Sequence, residues 1–149
     1  CNALLVGITK QLANKMQTVL SESARLILQL PARSSVTDAM HTQLHWLDVH
    51  RRIKYKVCML AYKSQHGMTP EYLSEYCTHL SELPGHAHLR SAASGQLCIP
   101  RTKTVSLGPR GFFSSCPTLW NSLPSELRDD SLAPDLFKKK LKTYLFSLP

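Results

Sequence analysis

The chain has 149 residues, 43% of them apolar and 19% charged, enough to bury one modest core and too few for a multi-domain enzyme. Lys and Arg number 18 against 10 Asp and Glu, a net charge of +8 with a pI near 9.5. Such a field favours polyanions, meaning nucleic acid or an acidic membrane surface, and it strengthens from residues 1–50, with four basic and three acidic groups, to residues 101–149, with eight and four.

The first apolar pattern, Leu12, Met16, Val19, Leu20, Ser23, Ile27 and Leu30, recurs at steps of three and four, which predicts an amphipathic helix over 9–30. Thr9 is its expected N-cap and Pro31 its expected stop. A second helix is expected over 36–44, capped near Ser35 or Thr37, followed by an apolar corner, Leu44-His45-Trp46-Leu47. A third is expected over 48–66, with a core stripe of Ile53, Val57, Leu60 and Ala61 and with Gly67 closing it. Its first turns carry Arg51, Arg52, Lys54 and Lys56, beside Tyr55 and Tyr62. Pro70 suits the first turn of a brief helix ending near Tyr76.

Residues 78–95 are polar, without periodicity, and read as a mobile linker. Beyond them the period becomes alternating. Leu97 and Ile99 alternate with Gln96 and Cys98, and Val105 and Leu107 with Thr104 and Ser106, which predicts a small β-hairpin near 96–107. Gly108-Pro109-Arg110-Gly111 reads as a turn, and 112–121 as helical or irregular, anchored by Phe113, Leu119 and Trp120. A last helix is expected over 131–148, with Phe137, Leu141, Tyr144, Leu145 and Leu148 on one side and Lys138, Lys139 and Lys142 on the other. The lysines lie toward its negative end, where the helix dipole favours them. The expected fold is therefore mainly α. It divides into a helical segment at 1–77, a linker at 78–95, and a hairpin with a helical tail at 96–149.

The residues offer little catalytic chemistry. The one adjacent acid pair, Asp129-Asp130, has no apolar strand beside it and reads as a solvated turn rather than a metal-holding pair. Cys77, His79, His86, His88 and Cys98 lie close together but fit no ordinary zinc spacing. No Gly-x-Ser-x-Gly motif and no glycine-rich phosphate loop occurs. No catalytic residue, metal, cofactor or small-molecule substrate is expected. The basic clusters with nearby rings carry the strongest signal, because cations hold phosphates and flat rings stack on unpaired bases. The candidate contacts are Arg51, Arg52, Lys54, Lys56, Arg101, Lys103, Arg110, Lys138, Lys139 and Lys142. Phe112, Phe113, Trp46 and Trp120 are expected in the core. No apolar run approaches the roughly 20 residues that span a bilayer, and no charged leader precedes an apolar stretch. Five widely spaced cysteines, Cys1, Cys58, Cys77, Cys98 and Cys116, suit a reducing compartment. The expected location is intracellular, nuclear or cytoplasmic, without a membrane partner. A chain starting at Cys1 is expected to be a truncated or processed piece.

Several strings stand together in order: LHWLDVHRRIKYKVCMLAYKSQHGMTPEYLSEY, RSAASGQLCIPRTKTVSLGPRGFFSSCPTLWNSLPSELR and LFKKKLKTYLF. They carry the landmarks LHWL, YK-x3-G-x-x-P-x-YL, PR-x6-G-x-R and LWNSLP. This series resembles the segment that follows the polymerase domain in vertebrate-type non-LTR retrotransposons, of the long interspersed element type. The opening CNALLVGITKQLANKMQTVLSESARLI resembles the stretch before it, after the polymerase palm, where a thumb would form. Asp48 departs from the proline usual after LHWL, and Ser21-Glu22-Ser23 replaces a more typical Asn-Ala-Ala run. The resemblance implies a reverse transcriptase that copies element RNA at a nicked chromosomal target. The palm aspartates and the endonuclease acid cluster of that family are absent from this sequence, so no family catalytic residue carries over. What remains is an expected non-catalytic piece, either a relic with no present function or a segment with one of two roles. In the first it binds element RNA, target DNA or their hybrid without sequence preference. In the second its apolar faces dock on the upstream polymerase domain of the same polyprotein.

Overall fold

The computed structural model describes residues 2–84 and 94–148. These are mainly helical, with six α-helices and no strand among the described residues: α1 (Lys10–Ile27), α2 (Thr37–Thr42), α3 (Val49–Gln65), α4 (Glu71–Ser74), α5 (Phe112–Asn121) and α6 (Pro134–Ser147). Short 3-10 turns at Asn2–Leu5, Leu80–Glu82, Gly108–Arg110 and Ser125–Leu127 punctuate the connections.

Local chemistry sets the helix ends. Thr9 caps α1, its Oγ1 accepting from the Leu12 N–H at 3.3 Å, and Asp48 caps α3, its Oδ1 accepting from the Arg51 N–H at 2.8 Å. Both helices close in Schellman motifs. The Leu30 N–H reaches the Arg25 carbonyl at 3.0 Å past a left-handed Gln29 (φ 53). The Met68 N–H reaches the Lys63 carbonyl at 2.8 Å past Gly67 (φ 65). Helix α1 thus stops at Ile27, short of the residue before Pro31, because the αL turn at Gln29 satisfies its last carbonyls first.

Helix α3 runs through the centre. It buries Val49, Ile53, Val57, Cys58, Met59, Ala61, Tyr62 and Ser64, residues spread around much of its circumference. Helices α1, α4, α5 and α6 and the Asn2–Leu5 turn all pack on it. The main core joins Val57, Cys58 and Tyr62 to Leu97, Trp120, Phe137, Leu141 and Leu145, so it draws on both the 1–77 and the 96–149 segments. The Tyr62 ring lies nearly parallel to Phe137 with centroids 4.3 Å apart, and its hydroxyl donates to the Leu132 carbonyl. A smaller cluster of Ala24, Val36 and Met40, flanked by Leu20, Leu44 and Trp46, fixes α2 against α1.

The expected hairpin near 96–107 does not form. Residues 96–98 are extended, but they pair backwards with 78–80. His79 and Leu97 form an antiparallel bridge, the Leu80 N–H donates to the Gln96 carbonyl, and the Cys98 N–H donates to the Thr78 carbonyl, both at 2.9 Å. Asn121 holds the other edge like a short strand, accepting from the Leu97 N–H and donating to its carbonyl, each at 2.8 Å. The 104–107 half folds on itself, with Thr104 Oγ1 accepting from the Gly108 N–H at 2.8 Å, and Val105 and Leu107 face solvent. Alternation is therefore a poor guide here: Leu97 is buried by Asn121 and the core rather than by a neighbouring strand. Of the expected 78–95 linker, residues 85–93 lie outside the described residues.

Gly95 marks a close backbone approach. Its φ is +64, the Trp120 Nε1–H donates to its carbonyl at 2.9 Å, and a Cβ built on it would meet the Arg128 carbonyl oxygen at 2.5 Å. Gly67 shares the backbone region but has open space around it. Gly95→Ala is expected to lose about 1–3 kcal/mol of unfolding free energy in urea titrations, and Gly67→Ala about 1 kcal/mol or less. Equal losses would mean that the contact with Arg128 carries no cost.

Candidate nucleic-acid interface

The cations of α3 do different work. Arg51 pairs with Asp48 (Nε to Oδ2, 3.2 Å) and donates to the Leu148 carbonyl, tying the end of the chain to the start of α3. Arg52 donates from Nε to the Leu47 carbonyl at 2.8 Å, and its guanidinium lies 5.2 Å from the centre of the Trp46 ring. Burial holds the Arg52 pKa below its ordinary value, since desolvation penalises the charged form. Both arginines therefore fasten the 44–48 corner and the C-terminal end to α3. Lys54 lies 5.6 Å over the ring of Tyr144, and Lys56 is exposed.

Helix α6 lies beside α3 because Phe137, Leu141 and Leu145 are fully buried against it and α5. Lys138 is bound to Asp135 at 3.0 Å, and that hydrogen bond raises its pKa. Lys139 borders a shallow groove with Lys140, Glu126 and Tyr144. Lys142, whose Nζ is 6.0 Å from the centre of the Phe146 ring, turns toward α3.

Arg52, Lys56 and Lys142 meet in one cleft of about 260 Å³, walled by His45, Trp46, Leu47 and Tyr55. No carboxylate lines it. Three cations without an acid partner in the cleft make a field that an anion would relieve. The 44–47 corner presents the rings: His45 stands in a left-handed conformation (φ 50), and the Trp46 N–H donates to the Met40 carbonyl at 3.0 Å.

Of the ten cations expected from sequence, the cleft takes three. Lys54 and Lys139 stand on the same two helices but line other surfaces, Lys54 with His50 and Ile53, and Lys139 with Glu126 and Tyr144. Arg101 and Lys103 are exposed elsewhere, on the 101–107 segment. The Arg110 stem packs on Gly7, where a Cβ would meet its Cγ at 2.7 Å. Tyr62, which sequence placed beside the α3 cations, is a core ring. Sequence reasoning passed over Lys140, which lines the groove with Lys139, and gave no role to His45. Trp46, assigned to the core, is half-buried and shared between the smaller cluster and the cleft.

The remaining candidates resolve differently. Asp129 accepts from the Ser131 N–H at 3.0 Å, and this bond holds its carboxyl below the usual range, as in a turn. Cys77 and Cys116 lie with sulfurs 3.6 Å apart, and its hydrogen bond to Cys77 together with burial pushes the Cys116 thiol up. Burial pushes Cys58 up to about 12, the opposite of what a nucleophilic thiol needs. Among the described residues, no three His, Cys, Asp or Glu side chains group as metal ligands; His86 and His88 lie outside them. Nor is any helix among the described residues long and apolar enough to cross a membrane. Comparison with protein-family models, characterised proteins and solved structures finds no match to this chain.

These roles separate by stability. Arg51→Ala and Arg52→Ala are each expected to cost about 1–3 kcal/mol, from charged hydrogen bonds lost to partly buried carbonyls. Lys56→Ala is expected to stay within about 0.5 kcal/mol. Thermal or urea unfolding of the three variants measures this, and an Arg51 or Arg52 variant as stable as Lys56→Ala would remove the fastening role.

Proposed function

We propose that this chain is a non-catalytic C-terminal portion of a retrotransposon reverse transcriptase that binds RNA or DNA without sequence preference and so supports target-primed reverse transcription. The observation that carries the reading is the joining of Arg52, Lys56 and Lys142, from two helices distant in sequence, in one cleft without a carboxylate. Lys54 and Lys139 add positive charge on other faces of α3 and α6. In this reading affinity comes mainly from phosphate contacts and counterion release. The element origin rests on the ordered landmarks of the sequence.

A second reading has one observation in its favour. Leu26 and Val19 of α1 are 81% and 67% exposed, and Leu12 and Ile27 are also open to solvent. That face suits docking on the polymerase domain of the same polyprotein. The apolar stripe of α6, the other surface that reading expects, is occupied by the chain's own core.

Fluorescence anisotropy with a labelled RNA–DNA hybrid and single-stranded RNA, across a salt series, tests the first reading. Log affinity is expected to fall linearly with log salt. The quadruple change of Lys54, Lys56, Lys139 and Lys142 to Gln is expected to weaken binding at least about tenfold and to flatten the slope by about 0.7 per lost single-strand phosphate contact. A folded wild-type chain that binds neither probe at low salt would overturn this reading in favour of docking. Unchanged affinity in a folded quadruple variant would overturn the site.

A further inference from the structure

Taking the cleft as the nucleic-acid site, which rests on the function proposed above, we propose that it holds one unpaired nucleotide, so that the chain prefers single strands to duplexes. The cleft is built for more than a phosphate. Its cations, Arg52, Lys56 and Lys142, are interleaved with three flat rings, His45, Trp46 and Tyr55, in a space of about 260 Å³. Phosphate alone needs only the cations. A base needs a ring to lie on, and every base has a face that can stack regardless of its identity.

The rings are held in place. Trp46 packs against the cluster of Ala24, Val36 and Met40, and Tyr55 packs against the main core. Arg52 lies against the Trp46 ring and is itself fixed by Leu47, so this cation and this ring are held together. A duplex presents phosphates outward and keeps its bases stacked inside. To use this cleft it must unpair and flip a base, which costs free energy that a single strand does not spend. The ring wall thus converts a non-selective positive surface into one that discriminates strand number without reading sequence.

Tryptophan fluorescence tests this. The chain has two tryptophans, and Trp120 is 1% exposed, so quenching by a base seated in the cleft reports on Trp46. Short oligothymidylate and its duplex with oligoadenylate are titrated into the wild-type chain at equal low salt. The single strand is expected to bind at least about tenfold more tightly than the duplex, the range of one stacked base, and to quench the emission. Trp46→Phe, which keeps a ring, is expected to retain binding by anisotropy and lose the quench. Salt-dependent binding of both probes with equal affinity, or saturation by the single strand without quenching, would overturn the unpaired-nucleotide site while leaving the function proposed above standing. Binding of neither probe would remove that function and this site together. The wild-type quench decides the matter even if Trp46→Phe does not fold.

Discussion

The contact between Tyr62 and the start of α6 governs how the rest of the molecule is arranged. On one side the Tyr62 ring lies against Phe137, at 4.3 Å and 14° from parallel; on the other it stacks on His66 at 4.0 Å. Its hydroxyl donates to the Leu132 carbonyl, satisfying both polar groups where water cannot reach. Phe137 in turn meets Trp120 at 5.8 Å, and Trp120 reaches back to the Gly95 carbonyl. One aromatic line thus joins α3, α6, α5 and the 94–98 segment. Aligned this way, α6 brings Lys142 beside Lys56, and the cleft follows from the packing of the core.

The same packing decides which cations remain for a ligand. Arg51 and Arg52 stand at the start of α3, where backbone carbonyls of the 47 corner and the C-terminal end lack helical partners. Guanidinium groups fill that need better than ammonium groups, because their planar forks donate in several directions while lying on a ring. Arg51 is absorbed into structure. Arg52 keeps a double role, bonded through Nε while also lining the cleft. Lysines supply the rest, and Lys54, Lys56 and Lys142 have no acid partner within ion-pair distance among the described residues.

The helices were legible because their signals are local. Thr9 and Gly67 mark ends through hydrogen bonds and backbone angles within a turn or two, and Phe137, Leu141 and Leu145 mark a face by spacing alone. The stripe of α1 was legible as a pattern but not in its burial, since Val19 and Leu26 repeat correctly and still face solvent. Strand pairing was not legible. Leu97 finds its partners in His79 and Asn121, on either side of it in the chain, and nothing in a local alternation names them. The basic clusters were visible as composition, yet their division into fastening and free cations depended on carbonyls far away in sequence, such as Leu148 for Arg51. Trp46 shows the same limit: a ring assigned to core by type stands at the boundary between a small cluster and an open cleft.

We propose the cleft between α3 and α6 as the place where nucleic acid would meet cations and rings. Photo-crosslinking tests it most directly. A single-stranded oligonucleotide carrying 5-bromouridine is irradiated with the intact chain, and the adducts are mapped by mass spectrometry. The account predicts adducts on Trp46, Tyr55 or His45, suppressed by high salt. Adducts confined to the 101–110 segment, or none on a chain that binds the oligonucleotide, would contradict it.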